Sequence, residues 1–211
     1  MEGMSLLDLF QSSICTVRRL WCEGTKIFIT TCAIGRVEME VFMEFEKYEK
    51  MAKELGAIDV VKFNIEEIAF DPRVALKCLF GCDTYGRVHN CLFQKAPLNM
   101  AQYKEIFSHY SWGIIIRTEN LEDSQRIAFE VEREAFLDGH YFALSLSDCV
   151  LCEKCTRIDQ MGECRLPLQS RPSFHGIGID VVKTVNTLGL PLKIARTKDE
   201  EVNYYSAVFV T

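Results

Sequence analysis

The sequence lacks several features that would assign it to a familiar class of protein. No stretch approaches the roughly 18 consecutive apolar residues of a membrane-spanning helix, so we expect no membrane span. The first ten residues, MEGMSLLDLF, have neither the basic start nor the apolar centre of a secretion signal. These absences predict a cytoplasmic protein.

Motifs for common catalytic chemistry are also missing. The sequence has no glycine-rich phosphate loop, no G-x-S-x-G turn and no H-E-x-x-H zinc motif. Its 24 Lys and Arg are outnumbered by 30 Asp and Glu, which gives a net charge of −6. A general nucleic-acid binder normally carries a basic face, so we expect no nucleic-acid partner.

Cysteine, in contrast, is abundant, with 10 among 211 residues. In a reducing compartment cysteines are better interpreted as metal ligands than as disulfides. Cys15, Cys22 and Cys32 have spacings that match no compact ligand motif, and we expect them to be ordinary small residues. The other seven form two groups.

The later group, here called the quartet, has the spacing C-x2-C-x2-C with a fourth cysteine after eight further residues: Cys149, Cys152, Cys155 and Cys164. Zinc sites usually join two C-x2-C pairs through a long spacer, whereas ferredoxin loops use C-x2-C-x2-C. Ferredoxins place their fourth cysteine sooner than this chain does. The spacing favours a [4Fe–4S] cluster and leaves zinc as the alternative.

The earlier group, here called the triplet, consists of Cys78, Cys82 and Cys91, with Gly81 and Gly86 between them. Its C-x3-C step is less specific, because residues four apart also share one face of a helix. Three thiols leave one ligand position without a cysteine. A substrate, a small thiol, water or a cysteine exchanged from the quartet can fill that position. Alternatively, the seven cysteines close one site and leave spare thiols. The sequence therefore predicts one or two clusters.

Charged residues near the quartet offer further binding groups. Arg165 and Arg171 are expected to bind the cofactor, by neutralising an anionic cluster or receiving an anionic ligand. The alternative for both is a surface salt bridge. His89 and His175 lie close to the cysteine groups, but a lone histidine is more often structural than a ligand.

Helical and extended patterns alternate from about residue 43 to the end. They predict an α/β or α+β fold with a central sheet of about four or five strands, flanked by helices, with the cysteine loops at sheet ends. On the longest helix, Phe136 is expected to be buried and Glu132 to lie on the solvated face. The predicted strands are 58–65, 112–117, 140–146, 190–195 and 204–210, and the predicted helices are 43–55, 100–109, 173–188 and one from about 120 to 137.

Residues 1–42 differ from the rest and are predicted to be an N-terminal extension of a metal-binding domain at 43–211. Met39 and Met43 offer alternative starts, in which case the extension is not part of the native protein. The intact mass of the native protein tests this expectation, because a species that begins at Met1 contradicts it.

Three passages resemble the DUF2284 family of predicted metal-binding proteins, found in anaerobic archaea and bacteria. The first resembles the family's cysteine group with a tyrosine–glycine step, the second its cysteine quartet with two following arginines, and the third its G-I-D-V segment. They read FDPRVALKCLFGCDTYGRVHNC, CVLCEKCTRIDQMGECRLPLQSRPS and GIGIDVVKTV.

This resemblance covers about residues 43–211 and implies metal binding, with iron–sulfur as the expected chemistry. It brings no established reaction. The sequence departs from the family at Leu92–Phe93, where a proline pair is common, and at His175, where glutamate is frequent.

Three functions follow from these patterns. The first is an iron–sulfur protein that serves in electron transfer or as a redox accessory, with an unknown redox partner. The second is an enzyme whose three-cysteine cluster keeps an open iron for a small-molecule substrate. The third is a zinc-stabilised interaction module without chemistry of its own.

Overall fold

The chain divides into two units, residues 1–47 and 48–211. In the first unit, strands β1 (Cys15–Cys22) and β2 (Thr25–Cys32) pair as an antiparallel hairpin. Helix α1 (Ala33–Glu54) follows and continues into the second unit. The predicted domain boundary after residue 42 falls within this helix and stays a prediction. The computed structural model describes residues 15–22, 25–92, 98–159, 162–192, 195–197, 200 and 202–211.

The second unit is built on a four-stranded antiparallel sheet in the order β3-β4-β6-β5. This confirms the predicted mixed fold, a central sheet flanked by helices. Its elements are β3 (Asp59–Asn64), α2 (Val74–Gly81), α3 (Met100–Phe107), β4 (Trp112–Thr118), α4 (Leu121–Leu137), β5 (Leu144–Leu146), α5 (Thr156–Asp159), α6 (Val181–Thr187) and β6 (Tyr204–Val210).

Strand β4 is apolar from Trp112 to Ile116 because both faces of the sheet are covered. Ile115 belongs to the hydrophobic core that includes residues of α3 and α6. Ile114 and Ile116 point to the opposite face, since side chains alternate along a strand, and they are also fully buried. Helix α4 contacts β4, β5 and β6. A β-carbon at Gly113 would collide with Phe63, which explains glycine within this strand.

Helix α4 starts where Asn120 accepts a hydrogen bond from the backbone N–H of Asp123, a standard cap. Two expectations for this helix are wrong. Phe136 is 56% exposed, because it lies on the solvent side of the last turn. Glu132 is buried, because its carboxylate is neutralised by Arg171.

The predicted helix over 173–188 is also wrong in its first half. The chain forms a single 3₁₀ turn at His175–Ile177 and then takes a left-handed conformation at Gly178, with φ of 92°. Glycine weakens helices and tolerates that conformation. Helix α6 starts only after Asp180, whose side chain accepts a hydrogen bond from the backbone N–H of Lys183.

Two predicted strands differ from the structure. Only Leu144–Leu146 of the predicted strand 140–146 is extended, since the chain turns at Gly139 and over the next residues. Residues 190–192 form no strand, and residues 193–194 of that prediction lie outside the described part. Over the described residues, none of the helices has the length and apolar character required to cross a bilayer.

Candidate metal centre

The triplet begins on helix α2, which carries Cys78. Cys82 ends this helix, and its backbone N–H donates to the carbonyl of Cys78 at 3.3 Å. The chain then reverses through Gly86, which has a positive φ of 70°. The Gly86 N–H donates to the Cys91 sulfur at 3.2 Å, so the loop folds back over its own cysteines.

A cavity of about 340 Å³, here called the larger cavity, lies beside this loop. All three triplet cysteines line it, and so does Cys149, the first cysteine of the quartet. The other described residues that line it are Thr84, Tyr85, Val88, Asn90, Leu121, Asp148, Ile158, Ser173 and Gly176.

All four quartet cysteines line a second cavity of about 50 Å³, here called the smaller cavity. Its lining also includes His89 and Arg165. Cys149, Val88 and Ile158 line both cavities, which therefore adjoin each other. Residues 149–164, here called the quartet segment, are tied to residues 82–91, here called the triplet loop. The guanidinium of Arg157 donates to the carbonyl of Arg87 at 2.7 Å.

The donors at both cavities suit a metal that prefers sulfur. All seven cysteines are free thiols, and four of them line each cavity. Thiolates bind zinc and iron–sulfur clusters. Across the described part of the chain, no three His, Cys, Asp or Glu side chains surround one point as ligands of a single ion do. The residues thus fit a thiolate-bound metal by their donor type and by the cavities that they line.

Helix α4 holds both ends of the quartet segment. Glu132 accepts hydrogen bonds from the backbone N–H and the hydroxyl of Ser145, before the segment, at 2.7 and 2.5 Å. The same carboxylate pairs with Arg171, after the segment, at 2.6 Å. Inside the segment, the Val150 N–H donates to the Gln125 side chain at 2.7 Å. These bonds fix the start of the quartet relative to the sheet.

The two arginines singled out in the sequence have different surroundings. Arg165 lines the smaller cavity, where it donates to the carbonyl of Lys154 at 2.6 Å. Arg171 forms the salt bridge with Glu132, and its guanidinium also lies over the Phe129 ring, 4.8 Å from the centroid. Cofactor binding by both residues stays a prediction, while the salt bridge expected as the alternative is present at Arg171.

Acidic groups crowd together at the larger cavity. The pKa of the Cys78 thiol is raised to about 11, mostly by burial and to a lesser extent by nearby Cys82, Cys91 and Asp148. Asp148 is exposed as a residue, but surrounding protein atoms desolvate its carboxyl group and raise its pKa. The nearby His175 opposes that shift, although burial lowers the pKa of His175 itself. A bound metal cation would relieve this crowding of acidic groups.

Hydroxyl groups lie close to two of the sulfurs. The Ser170 hydroxyl donates to the Cys149 sulfur at 3.9 Å, and the Thr84 hydroxyl lies 3.4 Å from the Cys82 sulfur. Hydrogen bonds to ligand sulfurs tune the reduction potential of a bound cluster. These two side chains are therefore placed to influence a metal bound at either cavity.

Several residues of the site were not singled out in the sequence. Glu132 had a usable signal, since it lies four residues after buried Ala128 and so shares its side of the helix. Asn90 and Asp148 had none, because their proximity to the triplet depends on how distant segments meet.

The unit is a mixed α/β fold in which seven free thiols line two adjoining cavities. This arrangement is typical of proteins that bind a metal through cysteine thiolates. The chain belongs to the DUF2284 family, described as predicted metal-binding protein, whose model matches residues 61–210. That match confirms the resemblance found in the cysteine motifs. Comparisons with curated proteins and with solved structures find no match.

Proposed function

We propose that the protein binds iron–sulfur centres and acts in electron transfer or as a redox accessory in an anaerobe. The observation that carries this proposal is that the four cysteines of the C-x2-C-x2-C…C pattern line one cavity. In this account Cys149, Cys152, Cys155 and Cys164 hold a [4Fe–4S] cluster. A cluster of this kind supplies one-electron chemistry when bound.

The chain's own residues adapt the smaller cavity to that role. Arg165 brings a permanent positive charge to a site whose thiolates are anionic. His89 adds an imidazole to the lining beside the Arg165 guanidinium. The anchors on helix α4 hold the segment in place, so that uptake or loss of an electron requires little rearrangement of the protein.

A second candidate function is an enzyme with an open ligand position at the triplet. Two four-ligand centres require eight ligands, whereas seven cysteines line the two cavities and Cys149 is common to both. If Cys149 binds at the quartet, the triplet keeps a position for an external ligand. The larger cavity, at about 340 Å³, reaches the size of small-molecule sites, roughly 300–1,000 Å³.

Analysis of iron, acid-labile sulfide and zinc after anaerobic purification tests the proposal against a zinc-stabilised module. We expect iron and sulfide in equal amounts, with an absorption band near about 400 nm from thiolate–iron charge transfer. Stoichiometric zinc without sulfide and without that band contradicts an iron–sulfur centre. A cytoplasmic location and a separate redox partner complete the proposal.

A further inference from the structure

We propose that the exposed face of helix α2 docks an acidic carrier protein that exchanges electrons with a centre at the triplet. This inference rests on the proposed function, because it names the class of the redox partner and the surface on which that partner binds. The surface consists of Leu76, Lys77, Leu79 and Phe80 and is here called the α2 patch.

Helix α2 turns large apolar side chains to solvent. Phe80 is 82% exposed, Leu76 57% and Leu79 50%. Leu76 and Phe80 are four positions apart and are therefore neighbours on one face of the helix. Single exposed apolar residues are normal on a protein surface, whereas a contiguous group of them marks an interaction site. A phenylalanine at such a place is typical of protein interfaces.

The α2 patch lies next to the triplet. Cys78 is on the same helix and lines the larger cavity. Cys82 ends the helix, and among the seven cysteines of the two groups it alone is exposed. A helix with its side chains is about 10–12 Å across, so a protein bound to the patch comes within about that distance of the Cys78 sulfur. The triplet is therefore the point at which electrons enter or leave.

The charge of the chain indicates which kind of protein fits. The segments that carry the cysteines, residues 73–91 and 149–171, contain seven Lys and Arg against four Asp and Glu. The rest of the chain contains 17 Lys and Arg against 26 Asp and Glu. Opposite charges speed association and like charges exclude wrong partners. An acidic protein is thus attracted to the cysteine segments and repelled by the rest of the chain.

Lys77 is the cation that gives the α2 patch its charge. Residues 73–82 include Arg73 and Lys77 but no Asp or Glu. Arg73 pairs with Asp71 at 2.5 Å, which offsets much of its charge. Lys77 is exposed and lies one helical turn from Phe80. A second copy of this chain fits less well, because a symmetric dimer would bring two patches of the same charge together.

Stopped-flow mixing of the anaerobic, iron-loaded protein with two electron carriers tests this inference. Plant-type ferredoxin is a small acidic protein that carries one electron, and methyl viologen is a small molecule that needs no docking surface. One electron passes in the direction that the potentials favour, so that one partner is oxidised and the other reduced, and no bond forms or breaks.

Salt separates the two carriers. We expect the second-order rate constant for ferredoxin to fall at least about tenfold between about 20 mM and about 500 mM salt, because salt screens the attraction between opposite charges. The rate constant for methyl viologen should change less than about threefold over the same range, since no complex between proteins precedes the transfer.

Two variants assign the effect to the α2 patch. Lys77→Glu removes the attractive charge, and Phe80→Ser removes the largest apolar contact. Each should lower the rate constant for ferredoxin at low salt at least about fivefold, with iron content and the methyl viologen rate unchanged. Leu76→Ser serves if Phe80→Ser does not fold.

Two further variants are matched controls. Lys50→Glu makes the same change of net charge at an exposed lysine of α1, and Phe136→Ser removes an exposed ring from the last turn of α4. Neither residue lines a cavity at the cysteines. Both controls should lower the rate constant for ferredoxin less than about twofold.

Four outcomes overturn the inference. In the first, ferredoxin reacts no faster at low salt than at high salt while methyl viologen still reacts, which leaves the proposed function intact. In the second, Lys77→Glu and Phe80→Ser behave like their controls. In the third, the loaded protein is a dimer that Phe80→Ser dissociates, so that a second copy covers the patch. In the fourth, the wild-type protein takes up no iron, which overturns the proposed function as well and is recognised by the metal analysis alone.

Discussion

Glu132 connects the two ends of the quartet segment through its side chain. Its carboxylate binds Ser145 on one side and Arg171 on the other. The Glu132 and Arg171 side chains are only 11% and 18% exposed, so solvent screens their pairing weakly. Loss of the carboxylate leaves a largely buried guanidinium without its partner. The cysteine positions therefore depend on a residue that binds no metal.

Glu132→Ala should lower the free energy of unfolding of the metal-free protein by about 2–4 kcal/mol, since it breaks a mostly buried pair. Urea unfolding followed by circular dichroism measures this change. Glu130→Ala on the same helix is the control, because Glu130 forms an exposed pair with Arg133. The control should cost less than about 1 kcal/mol. Equal small losses in both variants would show that Glu132 is not an anchor.

Among single residues, the sequence predicted which cysteines lie together better than it predicted their contacts. The quartet and the triplet were separable by spacing, and each lines a cavity as a group, while their role as metal ligands stays a prediction. The spacing of Glu132 from Ala128 indicated the buried side of the helix, but its partner could not be predicted, because Arg171 lies 39 positions away in the chain. The same holds for Asn90, whose environment is made by tertiary contacts.

The triplet loop brings its own three cysteines to one cavity. Helix α2 delivers Cys78 and Cys82, and Gly86 then reverses the chain so that Cys91 returns to the same cavity. The positive φ at Gly86 favours glycine, because a β-carbon disfavours this left-handed backbone. The turn also directs the Gly86 N–H at the Cys91 sulfur.

Gly86→Ala should strain this turn by about 1–2 kcal/mol and lower the metal content of the triplet. Iron per chain after anaerobic reconstitution measures the effect, and the quartet's share should remain. Gly81→Ala is the control, because a β-carbon at Gly81 meets open space and the helix tolerates alanine. If both variants keep the full iron content of the wild type, the turn has no role in the site.

The strands and helices with strong periodicity were predicted well, as for α4 and β6. The region after the quartet was not, because its first turn is determined by Gly178 and by the bridge between Phe70 and Ile179. Helical spacing in the sequence carries no information about such a bridge. The existence of the sheet was thus predictable, while the path of the chain around the cavities was not.

Across the whole molecule, the hydrophobic core that stabilises the sheet is separate from the loops that carry the cysteines. The hydrophobic core of the described residues contains none of the seven cysteines. It is formed by strands of the sheet together with α3, α6 and the 3₁₀ turn. Metal binding is therefore expected to order the loops and to leave the formation of the sheet largely unaffected.

Removal of the metal by a chelator should leave the far-ultraviolet circular dichroism nearly unchanged. Limited trypsin digestion should then cut at Lys154 or Arg157 in the quartet segment at least about tenfold faster than in the loaded protein, because local opening becomes easier. The loaded protein at equal concentration is the control. Cooperative loss of all secondary structure on chelation would show that the metal holds the whole fold together.

Iron per chain in three proteins tests most directly whether two cysteine groups hold two centres. Wild-type protein, Cys152→Ser and Cys78→Ser are reconstituted side by side without oxygen. We predict about eight irons in the wild type and about four in each variant, since each substitution disables one four-iron centre. Iron content that Cys78→Ser leaves unchanged contradicts a centre at the triplet, and content that Cys152→Ser leaves unchanged contradicts one at the quartet.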